Sequence, residues 1–343
     1  MFADLSTSLL LAVFAVAGAV VFVVSVRMTA LADTIADRAG WGEALVGGVV
    51  LGAATSLSGL TVSISAAWSG DASLAFSNGV GGIAAQTAFL VLADLTHRRA
   101  NLEHAAAEPA NLFQGVLLLA LLTMPVVAWA TPPVTLFGVH PVTLLMVGAY
   151  AYGVHLSHAV RQAPMWRAVD TPETREDTPE DAAEAGRSVR GPALAFAGLA
   201  LLLSLSGWTI AQAAGVMVTR FGLSATLVGA VMTAVVTSLP ELVTTIAAVR
   251  RGALQLAVGG IIGGNTFDTL FLAGADVAYR EGSLFHAVAR GDLFWLSVGL
   301  LMTAVLLAGL IRRERRGPAG IGVESVVLLS VYLGALAMQV IAR

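Results

Sequence analysis

Thr237-Ser238-Leu239-Pro240-Glu241 and, after a spacer, Gly263-Gly264-Asn265-Thr266-Phe267-Asp268 are the stretches on which the fold and function of this chain turn. Each lies inside a long apolar segment. Pro240 has no N–H, so the carbonyl of Val236 loses its helical partner. Free carbonyls at membrane depth are tolerated only inside protein or beside a polar cavity. They are also hard oxygen ligands of the kind that Na⁺ and Ca²⁺ accept. Glu241 adds a carboxylate at the same depth, and an acidic residue within a span is functional by default. The structural alternative is a kinked helix with a paired acid. Asn265 and Asp268 stand at i and i+3 and share one helix face. With Glu241 and Ser238 they offer oxygen alone, which suits a hard cation rather than zinc or copper. Two carboxylates neutralise one Ca²⁺, and one ionised beside one protonated can hold a single Na⁺.

The rest of the chain is consistent with membrane depth. Of 343 residues, 57% are hydrophobic and only 12% charged, with a mean hydropathy of +0.82. A soluble surface needs roughly a quarter to a third charged residues, which excludes an ordinary soluble protein. Cysteine is absent, and with it disulfides, thiolate metal sites and cysteine nucleophiles. All 19 basic residues are Arg, and a net charge of -3 argues against a nucleic-acid partner. A span needs about 20 apolar residues, and ten such segments run near 7–37, 42–67, 72–95, 112–131, 139–160, 192–218, 223–249, 253–278, 291–311 and 320–341. The first reads as a tilted span rather than a cleaved leader, because it lacks a basic start.

Residues 162–190 break this pattern, being rich in Asp, Glu and Arg and almost free of large apolar side chains. They read as a solvated linker. The chain is thus expected to be a first five-helix unit (1–161), the linker (162–190) and a second five-helix unit (191–343). Fifteen arginines fall on the linker side of the ten spans and four on the side of the termini. The positive-inside rule then puts the linker in the cytoplasm and both termini outside the cell membrane. The run Arg312, Arg313, Arg315 and Arg316 reads most simply as a topology signal.

A shift of 182 residues aligns Gly40–Ala107 with Gly222–Ala289 without a gap, with 26 identities in 68 positions. Apolar composition alone does not match Thr55 with Thr237, Ser56 with Ser238, Asp94 with Asp276 or His104 with His286. The unit is duplicated. Five spans separate the copies, so the second enters the membrane from the opposite face. The expected fold is an all-α membrane protein of ten transmembrane helices in two inverted-topology repeats, a plan found in secondary transporters with midplane binding sites.

The motifs around Glu241 and Asp268 resemble the second alpha repeat of the cation/Ca²⁺ antiporter superfamily, typified by sodium/calcium exchangers, whose pattern is G-T-S-L-P-E followed by G-S-N-I-F-(N/D). The ten-span plan, the linker and the outside termini match as well. The resemblance is specific in motif across 40–107 and 222–289. It implies that Glu241 coordinates Ca²⁺, that Thr237 gives a backbone carbonyl, that Ser238 gives a hydroxyl for Na⁺, and that Asp268 serves the adjoining site. The first copy departs from the pattern. It keeps Thr55 and Ser56, but Ser58-Gly59 stands where Pro-Glu is expected, and Gln86 is the amide at the position equivalent to Asp268. The ion-binding set is therefore Glu241, Asp268, Thr237, Ser238, Asn265, Thr55, Ser56 and Gln86, with Glu241, Asp268, Thr237 and Thr55 as direct metal ligands and Pro240 as the helix break.

These features point to a secondary antiporter exchanging Ca²⁺ or a related cation against Na⁺ or H⁺ by alternating access. The alternative is a non-transporting cation-binding protein, a sensor or scaffold. No resident cofactor is expected, and the partners are inorganic cations and the lipid bilayer. No H-E-x-x-H or G-x-S-x-G motif favours an enzyme. Asp94 with Arg98, and Asp276 with Arg280, have the i, i+4 spacing of helix-end ion pairs. His104 and His286 read as loop anchors or pH sensors.

Overall fold

The computed structural model describes residues 2–39, 52–97, 101–169, 188–315, 317 and 321–341. Most of the linker (170–187), the start of the second apolar segment, Arg98 and Arg316 lie outside them. The described residues are almost entirely helical. They form α1 (Thr7–Ala39), α2 (Gly52–Trp68), α3 (Ala72–Thr96), a short α4 (Leu102–Ala105), α5 (Pro109–Ala130) and α6 (Pro141–Gln162). After the linker come α7 (Arg190–Phe221), α8 (Ala225–Thr237, with a π-helical stretch at Val228–Thr233), α9 (Leu239–Arg251), α10 (Leu254–Ala278), a short α11 (Leu284–Ala287), α12 (Arg290–Arg312) and α13 (Val323–Ile341).

Seven of these helices are long and apolar enough to cross a membrane, and α8 with α9 forms an eighth candidate bent by 44° at Ser238. This is fewer than the ten spans read from sequence. The helix α6 has the length but carries His155, His158, Arg161 and Gln162 in its last two turns. The helix α2 has 17 described residues, and the rest of its segment lies outside the described part.

Two helices sit at the centre. Within its most apolar stretch α3 is 83% buried and α10 is 67% buried, against 22% for α7 and α13. A helix enclosed on all sides needs no polar face, which is why α3 shows no one-sided pattern. The α3 helix packs against α2, α8, α10, α12 and α13, while α1 runs along α7 at the periphery. Gly81 permits one of these close approaches. A methyl group there would stand 2.6 Å from the carbonyl oxygen of Ala230, so only glycine lets α3 lie against the π-helical stretch of α8.

The break at Ser238 has a local cause. Pro240 is the second residue of α9, where its missing N–H and fixed φ are tolerated, whereas within a continuous helix it would remove a bond and clash. The chain therefore stops α8 at Thr237 and restarts, with Glu241 in the first turn of α9.

Candidate ion-binding site

The break in α8–α9 lies against the middle of α3, α10 and α2, and the residues singled out in the sequence converge there. Glu241 is 4% exposed and Asp268 1% exposed. The two carboxylates are close enough for their charges to act on one another. From α2, the hydroxyls of Thr55 and Ser56 hydrogen-bond to Glu241, Ser56 Oγ donating to Oε1 at 3.4 Å. From α3, Gln86 Nε2 donates to Asp268 Oδ2 at 2.6 Å and to Ser238 Oγ at 3.2 Å. Gln86 and Asp268 are 182 residues apart, so they are equivalent positions of the duplicated unit meeting face to face. A hydrogen bond to a charged acceptor contributes about 1.5–3 kcal/mol, and this one links the two copies.

Four oxygens of this cluster are buried and have no hydrogen-bond partner: Glu241 Oε2, Asp268 Oδ1, Asn265 Oδ1 and Gln86 Oε1. Leaving a buried acceptor unsatisfied costs about 1–3 kcal/mol, and more for a charged group. Four together, all oxygen and two of them carboxylate, make a donor set that fits a hard cation. Asn265 is held in place by its amide nitrogen, which donates to Thr87 Oγ1 at 2.9 Å. Among the described residues no group of three or more His, Cys, Asp or Glu side chains could hold a metal, so the amides and hydroxyls must complete any coordination shell.

Thr237 sits differently from its neighbours. Its hydroxyl donates back to the carbonyl of Thr233 at 2.9 Å, and its backbone carbonyl stands at the helix break. That geometry is compatible with the carbonyl role implied for it by the resemblance.

The structure adds residues that the sequence did not single out. Phe271, one turn beyond Asp268, is 3% exposed. A methyl group on Gly59 would lie 2.6 Å from its ring. The space beside the position equivalent to Glu241 is thus filled by an aromatic ring from the other copy. Asn78 takes the neighbouring polar groups. Its amide nitrogen donates to the carbonyl of Gly59 and to Ser63 Oγ, both at 3.0 Å, and its oxygen accepts from Thr233 Oγ1 at 2.7 Å. Asn78 has no counterpart in kind, since Gly260 is its equivalent, whereas Phe271 matches Phe89 of the first copy. Comparing the copies position by position was the one available signal.

Both helix-end acids are held by aimed N–H and O–H donors. Asp94 Oδ1 accepts from Leu102 N at 3.0 Å, and Oδ2 accepts from Gly322 N at 3.0 Å and Ser325 Oγ at 2.9 Å. Asp276 Oδ1 accepts from Leu284 N at 3.0 Å, and Oδ2 from His140 N at 2.8 Å and Thr143 Oγ1 at 2.6 Å. Arg280 is exposed and takes no part in this, and Arg98 lies outside the described residues. Both aspartates are buried, and a buried carboxylate is better served by aimed N–H and O–H donors than by a cation in solvent. All three partner pairs stand at the offset of the duplication, so the shared geometry extends to Thr143 and Ser325, beyond the aligned motifs. The histidines follow the same rule as loop anchors. His104 Nδ1 meets the carbonyl of Arg313 at 2.8 Å, and His286 Nε2 meets that of Thr131 at 2.7 Å. The two sets lie at opposite ends of α5 and α12.

Comparison with known proteins bears on this arrangement. The family described as sodium/calcium exchanger protein matches residues 9–154 and 191–341. A putative antiporter, CaxA, of Alkalimonas amylolytica is 34% identical over 140 residues, 40% of this chain and 41% of that protein. The inner membrane protein YrbG of Escherichia coli K12 is 31% identical over 164 residues, 48% and 49% of the two chains. The matched stretches span less than half the length of these relatives. Among solved structures, an H⁺/Ca²⁺ exchanger, CAX, superposes with a TM-score of 0.66 at 14% identity, covering 97% of this chain and 86% of the other. The sodium-calcium exchanger NCX_Mj, soaked with Na⁺ and Sr²⁺, gives 0.60 at 17% identity, covering 97% and 99%. At such identities the likeness concerns the fold. With the family match running through both copies and stopping only at the linker, the chain belongs to the sodium/calcium exchanger protein family.

Proposed function

We propose that the chain is a secondary antiporter that carries Ca²⁺ or a related cation on Glu241 and Asp268 and returns Na⁺ or H⁺ by alternating access. The observation that carries this reading is the group of four buried, unpartnered oxygens at Glu241, Asp268, Asn265 and Gln86. Ser56, Ser238 and the backbone carbonyl of Thr237 add oxygens beside them, and Thr55 orients Glu241.

The same burial supplies the reason for exchange. Two carboxylates stripped of water and of counter-ions are costly at membrane depth. The site therefore changes its facing only when loaded with a divalent cation, with Na⁺, or with protons. Ca²⁺ in one direction and two monovalent charges in the other keep the pair neutral throughout, which makes exchange obligatory. In this reading the ten helices form two inverted repeats, 1–161 and 191–343, joined by a cytoplasmic linker, with both termini outside. The matched aspartate and histidine contacts at opposite ends of the bundle support that symmetry.

The test is ⁴⁵Ca²⁺ flux in liposomes under imposed Na⁺ or pH gradients, with Glu241→Gln alongside. Flux that needs one of these counter-gradients and disappears in the variant is the expected result, and the effective gradient names the returning ion. Folded protein that binds Ca²⁺ yet passes no flux under either gradient would replace this reading with a cation-binding sensor or scaffold.

A further inference from the structure

Glu103 and Glu324 form a second pair of buried acids, remote from the ion site, at the end of the bundle that carries Arg161 and Arg312. Glu103 is on the short α4 and is 2% exposed, and Glu324 opens α13 and is 7% exposed. The two converge between Gly309 and Gly322. A methyl group on Gly322 would stand 3.1 Å from Glu103 Oε2 and 3.2 Å from Glu324 Oε2, and one on Gly309 would meet the side-chain carbons of both. Glu103 Oε2 has no hydrogen-bond partner.

The duplication makes this pair stand out. At the opposite end, the positions equivalent to Glu103 and Glu324 are Phe285, in the apolar core there, and Val142, partly buried against it. The surrounding clamps are the same at the two ends, but one end closes on apolar side chains and the other on two acids.

Among the described residues, the charges acting on Glu103 itself are those of Asp94 and Glu324, both of its own sign. From α3 it faces Asp94, with His97 just beyond that helix, and from α13 it faces Glu324 and the hydroxyl of Ser325. Arg312, at the end of α12, reaches the other oxygen of Glu324 at 3.6 Å and Glu314 at 3.2 Å. On its own element, His104 is tied to the carbonyl of Arg313, whose guanidinium returns to the His104 carbonyl. The adjoining stretch of α10, Leu254–Gly264, carries no titratable group, and Glu108, ahead of α5, pairs with Arg161.

We propose that Glu103 carries a proton that it donates to Glu324 and acts as a pH-responsive latch, fastening α4 to the start of α13 when protonated and loosening it when Glu103 is ionised. Burial, reinforced by the charges of Asp94 and Glu324, pushes the Glu103 carboxyl up to about 7. The folded state therefore holds this proton more tightly than the unfolded chain, and stability is lost as pH rises from the ordinary carboxyl range towards 7. The latch works at the end with the acids and not at the end with Phe285.

Hydrogen–deuterium exchange on the full chain in detergent tests it, with rates corrected for the intrinsic pH dependence. Segments 101–107 and 321–326 should lose protection roughly tenfold between pH 5.5 and 8.5, while the equivalent segment 283–289 should not change. Glu103→Gln should keep 101–107 protected at both pH values, and Glu324→Gln should move the step to lower pH. Protection of 101–107 independent of pH in the native protein would overturn the proposal. So would an unaltered step in Glu103→Gln, or an equal step at 283–289.

Discussion

The two copies of the duplicated unit treat the same motif in opposite ways. In the first, α2 runs unbroken through Thr55-Ser56-Leu57-Ser58-Gly59. In the second, the helix breaks at Ser238 and bends by 44°. One residue separates these outcomes, Ser58 against Pro240. The next position removes the acid as well, Gly59 against Glu241, and the ring of Phe271 takes up the space. By contrast the clamps on Asp94 and Asp276 have kept the same partners at the same offset. The two units thus share a scaffold but have divided the labour at the site. The second supplies the charge and the break. The first supplies neutral donors, Ser56 and Gln86, that orient those charges.

Removing charge from the second copy should have the largest effect. Glu241→Gln should weaken Ca²⁺ binding roughly 100-fold by titration calorimetry, the scale of about 3 kcal/mol for a charged ligand. Gln86→Ala, on the first copy's side, should cost less than that. If Gln86→Ala costs as much, the division of labour is wrong.

Restoring the missing acid should fail for a steric reason. Gly59→Glu is expected to destabilise the fold by about 3 kcal/mol through overpacking against Phe271, seen as a lowered unfolding midpoint in detergent. The double variant Gly59→Glu, Phe271→Ala should recover most of that loss. No recovery would mean that Phe271 is not what fills the position.

The clamps should respond equally. Asp94→Asn and Asp276→Asn each strand aimed backbone N–H donors, and each should cost about 2 kcal/mol. Clearly unequal losses would show that the shared geometry is not shared energetics. The smallest effect belongs to the loop anchors. His104→Ala loses one hydrogen bond to a carbonyl, about 1 kcal/mol, and His286→Ala, which also loses its bond with Ser283 Oγ, should cost somewhat more.

Much of this was legible in the residues. Pro240 announces the break because a prolyl nitrogen cannot donate, and Glu241, Asn265 and Asp268 bring the oxygens on which the proposed hard-cation site rests. Spans were harder to count. The helix α6 carries too many polar side chains in its last turns to look like a span by composition, although it packs as one of the long helices against α5 and α10. The i, i+4 spacing of Asp276 with Arg280 describes an isolated helix, whereas Asp94 and Asp276 both take aimed donors from other elements. Their true partners come from segments up to 231 residues away.

The sequence by itself determined the duplication, the apolar segments, the broken helix and the two acids, because each rests on local chemistry or on a fixed shift along the chain. Only the tertiary structure decided that Gln86 faces its own equivalent, Asp268, that Phe271 occupies the space beside Gly59, and that Glu103 meets Glu324. Those are contacts between helices far apart in the chain, and no periodicity or spacing specifies which side chains meet across an interface until the helices are packed.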